Sequence, residues 1–178
     1  MKILLASTLL LFSTCTWAQE NFGPQGPLVK MAPAPLVTVV QGQAATIPLT
    51  FHITTGYHIN SNQPRSEFLI PTVLKVEATT DIVVGKTTYP EGQDFSFPFD
   101  PNEKLNVYTG NFEVDVQVRP LHTVQAGKYV VRGTLKYQAC DNAACYPPKQ
   151  LPVTFDVKIA KAPPPHARNP AQSPNAHQ

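Results

Sequence analysis

The sequence predicts an all-β protein, an antiparallel immunoglobulin-like β-sandwich over residues 36–159. Three observations predict it. Apolar residues recur with a period of two, not the roughly 3.6 of a helix. Turn signals separate the runs that show this period. No segment carries the broad apolar stripe of an amphipathic helix.

Along the chain, the first element is an export signal. Lys2 supplies a positive start, and Ile3 to Phe12 is an apolar stretch too short to span a bilayer. Thr16-Trp17-Ala18 ends in small residues at the positions a signal peptidase reads, so residues 1–18 form a signal peptide cleaved after Ala18. A lipid anchor at Cys15 is disfavoured, because Phe12-Ser13-Thr14 before it fits that signal poorly. Residues 19–35 are rich in Gly, Pro and Gln without periodicity and are expected to form a flexible lead-in. At the other end, residues 160–178 hold prolines and small polar residues that cannot bury enough apolar surface to offset ordering entropy. A disordered tail is expected there.

Between the ends lie the strands. Ile47, Leu49, Phe51 and Ile53 alternate with Pro48, Thr50 and His52. Phe112, Val114, Val116 and Val118 alternate with Glu113, Asp115 and Gln117. Tyr129, Val131, Leu135 and Tyr137 form one parity set and Arg132, Thr134, Lys136 and Gln138 the other; the first faces the core and the second solvent. Leu151, Val153, Phe155, Val157 and Ile159 make a last alternating run. Gln41-Gly42-Gln43, Thr109-Gly110-Asn111 and Ala126-Gly127-Lys128 supply turns. Residues 89–106 are the longest stretch without strand character and carry Phe95, Phe97 and Phe99. Loops of this length inside a compact domain are usually functional or mobile, although the rings could equally pack on the core edge.

Composition excludes several functions. A formal net charge of +2 with no basic run and no interleaved aromatics leaves nucleic acid without an electrostatic footprint. No Ser/His/Asp hydrolytic set is identifiable, and His52, His58 and His122 are placed on polar strand or loop positions. Two thiolates supply half of a tetrahedral site, and no histidine follows them at ligand spacing, so neither a metal nor another cofactor is expected.

Signal cleavage removes Cys15 and leaves Cys140 and Cys145 in an exported, oxidising compartment, where an isolated pair is expected to form a disulfide. The pair closes a hairpin whose loop is Asp141-Asn142-Ala143-Ala144. As a staple it would contribute only about 2 kcal/mol, because the closed loop is short. Strand parity puts Cys140 with the solvent-facing residues and Cys145 with the core-facing ones, so a bulge or break must intervene, with Tyr146-Pro147-Pro148 the natural place. Pro147 and Pro148 donate no hydrogen bonds and suit an exposed edge. Nothing near the pair in sequence lowers a thiol pKa, and Asp141 would disfavour a second negative charge. Residue patterns alone leave a labile redox bridge and a structural one both open.

The segment from Tyr137 to Val153, with Tyr-Gln before the first cysteine and Cys-Tyr-Pro-Pro at the second, resembles the hairpin of the N-terminal periplasmic domain of the thiol:disulfide interchange protein DsbD. Gly56 to Pro64 and Leu105 to Val118 are also similar to that domain, in the expected order. The resemblance implies an immunoglobulin-like fold with Cys140 and Cys145 as the redox-active pair, Cys145 forming the mixed disulfide, and Tyr137, Tyr146, Pro147 and Pro148 as motif context. It implies an aromatic cap over the disulfide, with Phe97 or Phe99 the candidate. It implies a periplasmic thiol–disulfide exchange component, a protein-disulfide reductase in type, with thioredoxin-fold partners such as disulfide isomerases or cytochrome c maturation factors. The better-known members have five residues between the cysteines and this chain has four. No membrane or thioredoxin domain follows in the sequence, so the expected electron donor is a separate membrane or thioredoxin-like protein, met by a monomer. The alternative is a non-catalytic immunoglobulin-like binding module whose hairpin disulfide is structural.

Overall fold

The computed structural model describes residue 24, residues 26–97 and residues 100–163. The signal peptide, Cys15, Phe99 and all of the tail beyond residue 163 lie outside the described residues.

Alternating apolar residues make strands wherever the sequence leads one to expect them, and in shorter stretches too. In chain order they are β1 (Val29–Met31), β2 (Val37–Val40), β3 (Ala45–Ile53), β4 (His58–Asn60), β5 (Val73–Val76) and β6 (Ile82–Thr88). There follow β7 (Gln93–Phe97), β8 (Asp100–Thr109), β9 (Asn111–Pro120), β10 (Gly127–Tyr137), β11 (Ala139–Cys140) and β12 (Lys149–Ala160). They form three four-stranded sheets, ordered β1-β3-β9-β6, β2-β12-β10-β5 and β11-β4-β8-β7. All pairings are antiparallel except β2 with β12, which is parallel. The architecture is an all-β immunoglobulin-like sandwich.

The first two sheets supply the core. Ile47, Leu49 and Phe51 of β3 and Val114, Val116 and Val118 of β9 are buried from one side. Val131 and Leu135 of β10 and Val153, Phe155, Val157 and Ile159 of β12 join the same cluster. Burial of each such side chain contributes roughly 1.5–3 kcal/mol.

The third sheet is built by strands that leave the other two. The chain of β3 turns through Thr54–Tyr57 into β4, and β8 runs through Gly110 into β9. Gly110 has φ of 59°, a left-handed value that a side chain would disfavour. Its carbonyl accepts from the Ile53 N–H at 2.7 Å, so both strands bend together. At this bend Phe112 stacks between Phe51 and Tyr108, with centroid distances of 5.2 and 4.8 Å.

Three expectations are corrected. Residues 19–35 are not wholly a flexible lead-in: Leu28 and Val29 are buried, and β1 pairs with β3 from Val29↔Ile53 to Met31↔Phe51. Alternation over three residues is too short to show as periodicity. Residues 89–106 are not a loop but contain the hairpin of β7 and β8, paired from Gln93↔Val107 to Phe97↔Asp100 with a register shift after Phe95. Its prolines and acidic residues hid the strand pattern. The tail expected from residue 160 does not include Ala160, which still pairs with Val40.

Because Phe112 holds the bend between two sheets, Phe112→Ala is expected to destabilise the fold by about 3–5 kcal/mol in denaturant unfolding. Val130→Ala, on an exposed position of β10, is expected to stay within about 0.5 kcal/mol.

Candidate functional site

Strand β10 pairs with β12 down to Tyr137↔Lys149, and there the ladder ends. Tyr137 is buried, which raises the pKa of its phenol, with the backbone at Val29 and Leu28 acting the other way. Lys149 Nζ donates to the carbonyls of Pro24 and Gly26 at 3.1 and 2.9 Å. These contacts fix the end of the ladder. Gln138 then breaks the strand, and the chain crosses to the third sheet, where Ala139 pairs with Ile59 and Cys140 with His58.

The break falls at Gln138 as well as at Tyr146-Pro147-Pro148, and it reverses the expected exposure of the cysteines. Cys140 is 0% exposed, whereas Cys145 is on the surface. The bridge pairs them across an isolated antiparallel contact with Cα atoms 4.0 Å apart. Asp141 N–H donates to Ala144 O at 2.9 Å, and Tyr146 N–H donates to Ala139 O at 2.8 Å. The cysteines therefore form a close non-hydrogen-bonded pair between two hydrogen-bonded ones. Pro147 and Pro148 follow, both exposed as expected.

Asp141 organises the loop. Its Oδ1 accepts from the N–H groups of Ala143 and Ala144 at 2.7 and 2.9 Å, and its Oδ2 accepts from the Tyr146 hydroxyl at 2.5 Å. These bonds, that to Tyr146 first, hold the carboxyl below its ordinary pKa. The same bond pushes the Tyr146 phenol up to about 12. The Tyr146 ring also lies 6.2 Å from that of Tyr57.

Gln138, expected to face solvent, is partly buried and ties the loop to the sheet. Its Oε1 accepts from Asn60 Nδ2 at 3.0 Å and from the Ile70 N–H at 3.2 Å. Its Nε2 donates to Tyr146 O at 3.3 Å. Parity failed here because Gln138 is the residue at which the chain changes sheets.

His58 is also corrected. It is 3% exposed, not on a polar surface, and it stands opposite Cys140 on one side and Thr109 on the other. Its ring lies 4.4 Å from that of Phe95. Burial lowers its pKa, with the Asp141 carboxylate acting the other way. An ionisable group thus faces Cys140 after all. Tyr57, His58, Phe95, Thr109 and Asn142 line a groove of about 350 Å³ beside the loop.

Of the residues named from sequence, Cys140, Cys145 and Tyr146 come together here, with Tyr137 anchoring the strand behind them. Phe97 sits on β7, and Phe99 lies outside the described residues. Phe95 is a ring that reaches the site through His58. His58, Phe95 and Gln138 escaped sequence reasoning because no spacing links them to the cysteines; the resemblance of Gly56 to Pro64 was the available signal for His58. Among the described residues no group of three or more His, Cys, Asp or Glu side chains is arranged to hold a metal ion.

The family model described as thiol:disulfide interchange protein DsbD, N-terminal, matches residues 25–157. Among solved structures, the DsbD N-terminal domain of Neisseria meningitidis in its reduced form is 18% identical, with 63% of this chain and 80% of that one covered and a TM-score of 0.40. The N-terminal periplasmic domain of ScsB from Proteus mirabilis is 14% identical, with a TM-score of 0.50. It aligns with 75% of this chain, which spans 48% of its length. No curated protein matches the chain. A match over most of the folded residues, with the cysteine hairpin inside it, makes this chain a member of the DsbD N-terminal domain family.

Proposed function

We propose that this chain is a periplasmic thiol–disulfide exchange domain that passes reducing equivalents between thioredoxin-fold proteins through Cys140 and Cys145. The observation that carries the proposal is the unequal exposure of one disulfide: Cys145 on the surface, Cys140 fully buried. Exchange begins when a thiolate attacks one sulfur in line with the bond. Of the two cysteines only Cys145 is exposed, so the attack falls on that side of the bridge. A partner thiolate bonds to Cys145 Sγ, the bridge breaks, and its electron pair leaves on Cys140 Sγ. In the opposite direction Cys145 attacks a partner disulfide, and Cys140 resolves the mixed disulfide.

Asp141 and Gln138 keep this geometry ready. The carboxylate shapes the loop that presents Cys145, and the amide fixes the Tyr146 carbonyl against β4. Family membership and the export signal over residues 1–18 support a periplasmic setting. The electron donor would be of membrane-linked or thioredoxin-like type, and the acceptors of disulfide isomerase or cytochrome c maturation type.

Four outcomes are expected. Cys140→Ala should accumulate a mixed disulfide with a thioredoxin-fold protein on Cys145, seen by non-reducing electrophoresis and mass spectrometry, whereas Cys145→Ala should trap little. Equal trapping would sink the assignment. The reduction potential of the bridge, by equilibration with thiol buffers, should lie above about −300 mV; a much lower value would make the bridge structural. Asp141→Asn should bring the Tyr146 phenol down from about 12 toward its ordinary value in an ultraviolet titration. Because the Asp141 pKa is depressed on folding, its support of the loop is present above the usual carboxylate range and is lost as pH falls through the lowered value. Amide exchange at Ala143 and Ala144 should accelerate over that acidic window.

A further inference from the structure

We propose that His58 is the proton partner of Cys140, lowering the pKa of its thiol in the reduced protein and meeting the charge of its sulfur during exchange. The inference rests on the exchange reading for its consequence, though not for its measurement.

Register carries it. Cys140 and His58 are directly opposite on antiparallel strands β11 and β4. Side chains in that relation project to the same face, with Cβ atoms about 4.5–5.5 Å apart. Both residues are buried, at 0% and 3% exposure. A thiolate formed there has little water to solvate it, and an unpaired buried charge is costly. A cation opposite it offsets that cost.

Several groups face His58 among the described residues. From β7 comes the Phe95 ring and from β8 Thr109, both uncharged. From β11 comes Cys140, and from the loop after it the Asp141 carboxylate, which favours the imidazolium. The Tyr57 phenol adjoins along the chain. In the oxidised protein burial outweighs Asp141, and the imidazole stays largely neutral near pH 7.

Cleavage changes that balance. One S–S bond forms between the partner and Cys145, and the Cys140–Cys145 bond breaks. The electron pair of the broken bond stays on Cys140 Sγ. His58 then takes the proton that the partner thiol released on ionising, delivered through the groove lined by Tyr57, His58, Phe95, Thr109 and Asn142. The result is an imidazolium–thiolate pair, or a thiol once the proton moves across. In the return step the Cys140 thiol gives its proton to His58 as its sulfur attacks Cys145 Sγ, and the partner leaves as a thiolate.

The chain has three cysteines, so Cys15→Ser with Cys145→Ala makes Cys140 the sole thiol. Its thiolate absorbance is followed against pH with His58 present, and in His58→Phe and His58→Gln, each checked for folding by circular dichroism. Phe keeps the aromatic volume and Gln the polarity, so a packing defect in one leaves the other readable. With His58 present the thiol should titrate at least about one unit lower, a thiolate fraction near neutral pH about tenfold larger, and both variants should lose this. In the protein with both bridge cysteines, NMR of the His58 imidazole should show its pKa rising on reduction. Matching thiol titrations in all three proteins, or an imidazole indifferent to reduction, would overturn the pairing. Trapping on Cys145 together with unchanged Cys140 titrations would remove the pairing and leave exchange standing. A lowered Cys140 pKa without any partner trapping would support the pairing and remove exchange.

Discussion

The two-residue pairing of Ala139 and Cys140 with Ile59 and His58 is the constraint on which the rest of the structure depends. Strand β10 belongs to one face of the sandwich, and β4 continues β3 of the other. Where β11 hydrogen-bonds to β4, chain from both faces meets in one sheet. That junction closes an end of the sandwich. It also buries the first cysteine against a histidine and leaves the second on an exposed turn.

The unequal burial has a physical source in the strand break. Had β10 continued in its own sheet, period-two alternation would have turned Cys140 to solvent with Lys136 and Gln138. The change of sheet at Gln138 resets the parity, and the Gln138 amide takes up polar groups that the break frees. Asn60, the Ile70 N–H and the Tyr146 carbonyl all bond to it. Buried or half-buried polar groups must be satisfied in this way or destabilise the fold.

The bridge contributes little to holding the domain together. Its closed loop is short, so the unfolded chain loses little entropy when it forms, about 2 kcal/mol. The core from β3, β9, β10 and β12 has far more buried apolar surface. A domain whose fold rests on its core can open and remake the disulfide without unfolding. The loop has its own support in Asp141, whose three hydrogen bonds do not depend on the sulfur–sulfur bond.

Local pattern was enough to determine the class of fold, the central strands and the cysteine pair. Alternation such as Phe112 to Val118 reports a half-buried strand whatever lies around it. The sequence also marked Tyr137, Tyr146, Pro147 and Pro148 as neighbours of the pair, since they adjoin it in the chain. Shorter or interrupted strands were not legible: β1 is too brief to show a period, and the β7–β8 hairpin is masked by proline and acidic residues. Which cysteine is buried, and that His58, Phe95 and Gln138 gather round it, was decided only by tertiary structure. Those residues come from β4, β7 and the break between β10 and β11, and backbone pairing across long loops brings them together. Side-chain periodicity carries no information about which strand will lie beside which.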